Sequence, residues 1–481
     1  MMRSRLQWTV LVTVLVLLLA ALPAAAEHED FPSTQNMHAL GHSEHEAAFE
    51  VPAAEREINS DIAFWGNLAI HGNYDGFRIV DISAPGNPKL ISHPRCNGDQ
   101  GDIVVWEDIV VRTWNSPAPE GRECMGEDVP VGFEGVHVFD ISDPAAPELL
   151  TDVEFSAAGA ELRDTADGCG SHTATLVPDE DNGRLVIYSN NSSGDGRPIC
   201  DAMDIIDVPI DDPAAASHTG KVFLEGGSLG SNNGCHDAGV ILGDVNLLAC
   251  ASGHAANVFS IGEPRGGSLD EPEFLYTIEE EDDEGNKVGI GGRWHSAAFT
   301  WDGEVIILGW EPGGGAQARC TADDPDIYKS MFFYSAEDGE KLGQWVLERD
   351  QGHDENCTIH NYNVVPLRSG EYVLVGGHYQ AGTWTVDFTG IGDGEEPEAI
   401  AWSDPRALGP GPFCTTMWDG DPTPGDGCRL GGAWSTYYYN NFIYESDITR
   451  GLNVYRVSDR SMAGAIRLDH LNPQTQPFSL P

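Results

Sequence analysis

Apolar residues along this chain come in short runs, each opened by a small-residue turn and closed by an acidic or polar stop. The clearest copies are DGFRIVDISAPGNP from Asp75 and EGVHVFDISDPAAP from Glu134. Weaker copies follow at AMDIIDVPIDDP from Ala202, ANVFSIGEP from Ala256, KSMFFYSAEDG from Lys329, GTWTVDFTGIGDG from Gly382 and GLNVYRVSD from Gly451, making seven. Two further runs joined by a short polar turn precede each copy, as in HSAAFTWDGEVIILGW from His295. Their alternation and β-branched content favour strand over helix. Every copy but the last is followed by another short run: PKLISHP, PELLTDV, GKVFLE, PEFLYTI, EKLGQWV and PEAIAWS. Four strands per repeat predict an all-β fold, a seven-bladed β-propeller of four-stranded blades. The segment NMHALGHS from Asn36 resembles the outermost strand yet precedes the first blade. An N-terminal strand is therefore expected to close the ring.

The rest of the chain divides around that repeat. Residues 1–26 read as a secretory signal peptide, with Arg3 and Arg5, an apolar run from Trp8 to Leu22, and the small residues Pro23-Ala-Ala-Ala26 before an acidic switch. The run is shorter than the ~20 residues of a spanning helix, so an uncleaved anchor is the lesser alternative. Residues 27–35 read as a flexible acidic lead-in and residues 36–481 as a single propeller, since 56 glycines, 29 prolines and no sustained helical period argue against a second domain. A secreted or extracytoplasmic location follows, in the periplasm or at the cell surface, with no membrane insertion after signal cleavage.

Charge and cysteine content narrow the partners. Asp and Glu number 77 against 26 Lys and Arg, so the surface repels phosphate backbones and nucleic acid is excluded as a partner. A small molecule, a protein or a glycan remains. The acidity reads first as a solvated surface, and it also suits a saline habitat or the attraction of cations. Ten cysteines, none in a C-x-x-C pair, form an even set suited to disulfides in an oxidising compartment.

The runs FRIVDIS and VHVFDIS, with the closing YNNFIYESDITRGLNVYRV, resemble the LVIVD-repeat family of exported bacterial β-propellers. The resemblance implies fold and export far more than any activity.

A register emerges when six residues are counted back from the polar turn between the first two strands of each blade. In blades 3 to 6 the position holds His172, His236, His295 and His360; in blades 1, 2 and 7 it holds Asn59, Gln100 and Ala433. The first strand of a blade is innermost, so its start faces the central channel near one mouth. Neutral imidazole is a ligand for zinc, copper, iron or nickel, and four at one level of a closed ring can converge on an ion. The arrangement is similar to the four-histidine iron site of the carotenoid-cleavage oxygenases, and more loosely to the histidine-lined selenium-binding and methanethiol-oxidase propellers. The competing reading is one structural histidine copied by duplication, as in WD repeats, where it lies in the loop before the inner strand. The register here places it inside the strand.

Asp237, His254, Glu311, Glu355, His378 and Asp447 lie near the same expected mouth and are candidates to orient the histidines or to act as acid or base. Arg450 is expected to pair with an acid of the closing motif. Cysteine placement at the same end suggests the pairs Cys96–Cys124, Cys169–Cys200, Cys235–Cys250, Cys320–Cys357 and Cys414–Cys428, with other connectivities open. The lead-in EHEDFPSTQNMHALGHSEHE reads as a solvated acidic tail before it reads as a metal trap. Trp114, Trp310 and Tyr379 either wall a binding cup or fill space between blades. Serine-nucleophile, phosphate-loop and dinucleotide motifs are missing. These features point to a metal-binding propeller that serves as a binding or interaction module, its activity open. The alternative is an iron- or copper-dependent oxidoreductase, and calcium-dependent hydrolysis comes last because no oxygen-ligand loop is recognisable.

Overall fold

A computed structural model describes residues 32–45, 57–98, 100–155, 169–191, 200–226, 234–253, 255–281, 292–312, 319–352, 355–404 and 431–480. Seven four-stranded sheets follow one another in the order of the repeats. In blade 3, Thr173–Asp179, Arg184–Asn190, Ala202–Pro209 and Ser217–Phe223 run antiparallel from inside to outside. Among the described residues the helical segments are short 3₁₀ turns such as Glu180–Asn182 and Asp326–Lys329.

Burial explains why the third strand of each blade carried the sequence signal. Gly76–Asp81 is buried on both faces up to its last residue, whereas the outer strand of the same blade, Lys89–Ser92, is largely exposed. Strands covered on both sides by neighbouring blades read as continuous apolar runs. The glycines that open the runs in blades 1 and 2 have a steric reason. Gly76 and Gly135 take φ of 147° and 151°, and a Cβ at either would collide with a carbonyl of the adjoining segment, Pro94 or Val153.

The ring closes as expected. Met37–Glu44 pairs antiparallel with Gly451–Val457, from Met37 opposite Val457 to Glu44 opposite Gly451, and becomes the outer strand of blade 7. Residues 1–31, which include the signal peptide and most of the lead-in, lie outside the described residues. The end of the lead-in is not free: Thr34 N–H bonds Trp402 O at 3.0 Å and Asp404 N–H bonds Pro32 O at 2.9 Å, tying it to blade 6. Among the described residues no helix is long and apolar enough to cross a membrane.

Four of the expected disulfides are formed: Cys96–Cys124, Cys169–Cys200, Cys235–Cys250 and Cys320–Cys357. Cys414 and Cys428 lie outside the described residues. Each bridge that closes a loop of this size stabilises a fold by about 2–4 kcal/mol, chiefly by restricting the unfolded chain.

The C-terminal segment does something the repeat pattern did not announce. After blade 7 the chain crosses the end of the channel remote from the histidines and binds five blades in turn. His470–Leu471 pairs with the first strand of blade 1. Asn472 exchanges two side-chain bonds with the backbone of Val105 in blade 2, each 2.8 Å. Thr475 Oγ1 donates to Leu176 O in blade 3 at 2.7 Å, and Thr475–Gln476 adds a parallel pairing to blade 4. Gln476 Nε2 reaches Phe299 O in blade 5 at 2.6 Å. The channel is thereby floored, and polar amides supply the floor because the inner strands expose backbone groups that require partners.

Candidate functional site

The four histidines of the register stand side by side. Ring centroids are 4.2 Å apart for His172 and His236, 4.2 Å for His236 and His295, and 3.9 Å for His295 and His360. All four are buried. Together with Gln100, Asp61, Asp102, Thr173, Asn361 and Trp434 they line a narrow well of about 240 Å³, its open mouth included. Its interior leaves room for little more than a single water or ion, about 10 Å³, and is too small for a bulky organic molecule.

Backbone ladders set the level of the rings. The N–H groups of His172, His236 and His360 bond Asn190 O, Ala251 O and Gly377 O across their blades at 2.7, 2.8 and 2.9 Å. His295 sits in a bulge between Trp294 and Ala297. The placement inside the strand needs adjusting: the strands of blades 3, 4 and 6 begin at Thr173, Asp237 and Tyr362, one or two residues after the histidine. His172, His236 and His360 thus stand at the edge of their ladders, whereas His295 lies inside its strand, Gly292–Phe299, as the register expects.

The arc has ordered ends. His172 Nδ1 lies 2.6 Å from Asn115 Oδ1 and its Nε2 3.3 Å from Gln100 Nε2. At the other end His360 stacks on Tyr379 at 4.8 Å and meets Trp434 at 4.5 Å. Burial, then the neighbouring His295, holds the His360 imidazole well below its ordinary pKa. It is therefore neutral, the form in which imidazole binds metals.

Glu311 changes the reading of the site. Expected behind the histidines, it stands among them, with Oε2 3.7 Å from His236 Nε2 and Oε1 3.9 Å from His295 Nε2. Ligand atoms of His236, His295 and Glu311 all lie within 4.8 Å of one another. His172 and His360 flank this trio.

The other candidates divide. Asp237 is buried below the arc, bonded to the Ala238 N–H and to Thr173, its pKa raised well above the usual range by burial and by the charge of Asp61. Glu355 is turned away and accepts the Gly352 N–H at 2.6 Å. His378 is fully buried against Trp345 at 5.5 Å, with neither ring nitrogen hydrogen-bonded, and burial lowers its pKa to about 3. Asp447 caps its own turn, accepting from Thr449 and from Arg450, whose Nη1 lies 2.9 Å from Oδ2; the expected partner of Arg450 is thus in place. His254 lies outside the described residues. Trp114 and Trp310 are packed in blade interiors, Trp114 donating to His137 Nδ1 at 2.7 Å and Trp310 against Trp294, while Tyr379 alone of the three stacks on a register histidine, His360.

Two carboxylates escaped the sequence reading. Asp61 and Asp102 lie in the channel beside Asp237, two residues beyond the register positions of blades 1 and 2. Asp61 accepts from Tyr437 Oη and from Gln474 Nε2 of the floor, both at 2.6 Å. Asp102 accepts the Ala174 N–H at 2.7 Å. Burial and the mutual repulsion of the three raise the pKa of Asp102 well above the carboxylate range. Following the register two residues further along each strand was the signal that would have found them.

Residues 60–93 match the LVIVD repeat family model. They span most of blade 1, including the FRIVDIS run that carried the resemblance. No curated protein matches the chain.

Proposed function

We propose that this chain is an exported metal-binding β-propeller. Its ion is held at the channel mouth by His236, His295 and Glu311, with His172 and His360 alongside. The carrying observation is the convergence of two imidazoles and a carboxylate within one 4.8 Å cluster, inside a row of four buried rings whose order follows the blades. Two nitrogens and a carboxylate suit zinc, iron or copper. The narrowness of the well supports a role as a binding or interaction module, with a small molecule, protein or glycan meeting the rim. The four disulfides support an oxidising, extracytoplasmic location.

A second reading has its own support. A two-histidine, one-carboxylate set leaves coordination positions open, as in non-haem iron oxygenases. That favours a metal-dependent oxidoreductase.

Elemental mass spectrometry of the mature, untagged protein tests the proposal. About one equivalent of metal that disappears in H236A/H295A, with the circular dichroism of the folded propeller kept, is expected. Metal content unaffected by the double substitution, or none after reconstitution with iron, copper and zinc, would sink it. Oxygen uptake by the loaded protein would then separate the oxidoreductase from the binding module.

A further inference from the structure

A second histidine–carboxylate cluster sits at the seam of the ring, built from residues that occupy no equivalent positions in the repeat. His45 ends the N-terminal strand that completes blade 7; its N–H bonds Arg450 O at 2.9 Å. Asp75 lies in the turn before the third strand of blade 1, and His93 follows the outer strand of the same blade. The rings of His45 and His93 are 5.1 Å apart, and His93 Nε2 is 3.5 Å from Asp75 Oδ2. Ligand atoms of all three residues lie within 4.8 Å of one another. Glu57 adds a fourth donor, with Oε2 3.7 Å from His45 Nε2.

The cluster is largely buried, and its two imidazoles each keep a ring nitrogen without a hydrogen bond. His45 is 8% exposed and Asp75 1%. His45 Nε2 and His93 Nε2 make no hydrogen bond, and the Asp75 carboxylate is met by a single cation, the Arg95 guanidinium. A buried carboxylate facing two imidazoles without hydrogen bonds is costly unless a cation compensates. Arg95 provides one from the surface: its guanidinium ion-pairs with Asp75 and lies 2.9 Å from Glu57 Oε1. The guanidinium stands where it neutralises the same carboxylates that an ion would use.

The surroundings prepare the donors. Asn59 Nδ2 donates to the carbonyls of His45 and Asp447, at 3.1 and 2.8 Å, which makes Asn59 Oδ1 the acceptor that meets His45 Nδ1 at 2.6 Å. The proton is thereby fixed on Nδ1, and Nε2 is left with its lone pair toward Asp75 and Glu57. Gly76 and Arg95 are bridged, and the Cys96 N–H bonds Asp75 O at 2.9 Å. The Cys96–Cys124 disulfide anchors the segment one residue beyond Arg95. Glu57 holds a left-handed φ of 53°, a conformation uncommon for a non-glycine residue.

We propose that His45, Asp75 and His93, with Glu57 as a fourth ligand, form a second metal site that takes a divalent transition ion of the zinc class and clasps the N-terminal strand to blade 1. Two imidazoles select against calcium and magnesium, and a set of two nitrogens and two carboxylates suits tetrahedral zinc. Arg95 swings out to solvent when the ion enters. The site is separate in its residues from the channel trio, so it can be tested with that trio removed.

The experiment is calorimetric titration of Zn²⁺ into the mature, chelator-stripped H236A/H295A protein. One equivalent is expected to bind, and zinc is expected to raise the unfolding temperature, because a ligand of the folded state stabilises it. Adding H93A, or D75N, should weaken binding by more than about 100-fold, beyond the loss usual for residues that only support ligands. Adding R95A should tighten it by about tenfold, the reverse of what a merely structural ion pair predicts. Circular dichroism would establish that each variant is folded; D75N keeps the shape of the site should H93A fail. Absence of zinc binding in H236A/H295A, or binding indifferent to both H93A and D75N, would overturn the proposal and leave the channel reading untouched.

Discussion

The channel mouth and the ring seam use the same chemistry, two imidazoles and carboxylate, yet assemble it in opposite ways. At the mouth, His172, His236, His295 and His360 come from one repeated position in successive blades, and the closure of the ring brings them together. At the seam, His45, Asp75 and His93 come from a strand end, a turn and the residue after an outer strand, joined because the two ends of the repeat array meet there. Symmetry makes the first site legible and hides the second. The difference also separates their dependence on the fold: the mouth rests on a channel floored by the C-terminal segment, whereas the seam rests on strand exchange in blade 7 and one disulfide.

Truncation after Arg467 is the strongest way to drive the two regions apart. It removes the floor, including the Gln474 bond to Asp61 and the paired segments on blades 1 and 4. Lost ladder and side-chain bonds at about 1 kcal/mol each predict destabilisation on the order of 5 kcal/mol. Urea unfolding would measure it. Zinc uptake at the seam of the truncated protein should persist; its loss together with that of the channel metal would show that the two regions are not independent.

Acid provides the next contrast. His378 is a buried histidine in neither cluster, with a pKa lowered to about 3. A base whose folded pKa lies below its unfolded value takes up protons on unfolding, so its stabilisation is present above pH 6.5 and is lost as pH falls toward 3. The slope is roughly 1.4 kcal/mol per pH unit. H378F, which keeps an aromatic ring against Trp345, should flatten the pH dependence of urea unfolding across that window by about this amount. An unchanged slope would mean that His378 is reached by solvent or protons in the native state.

The smallest effects separate ligand from bystander. E311Q should cost more than about 100-fold in channel metal affinity, beyond the loss usual for residues that only support ligands, measured by competition with a chelating dye. H218A lies outside the register and should keep full metal content. His218 is not inert, however: its Nε2 lies 2.7 Å from the buried Asp204, so a modest loss of stability of about 1–3 kcal/mol accompanies the retained metal. Equal affinity in E311Q and the native protein would return Glu311 to a supporting role and favour the four-histidine arrangement.

Much of this was readable in the chain. The third-strand runs are near-continuous because those strands are covered on both faces, and the outermost runs are short and mixed with polar residues because those strands are largely exposed. The histidine register was readable because each blade repeats one hairpin, so position along the strand fixes height in the channel. Four cysteine pairs were readable because hairpin ends of the same blade or adjoining segments must lie close. Glu355 and His378 were misplaced by the same reasoning: nearness in sequence to the mouth does not say which way a loop residue turns, and Glu355 caps Gly352 while His378 is packed against Trp345.

The sequence by itself determined the blade count, the strand that closes the ring and the level at which the histidines stand, and it suggested the four disulfides that the described residues contain, whose connectivity the structure fixed. These are properties of one repeating hairpin and its period. Tertiary structure decided what no period encodes: that Glu311 stands between His236 and His295, that Asp61, Asp102 and Asp237 share one buried space, that residues after Arg467 floor the channel, and that His45 meets Asp75 and His93. Each of these joins residues from different blades or from the ends of the chain. Their contacts are set by the closure of the ring, which places distant segments together whatever their spacing in sequence.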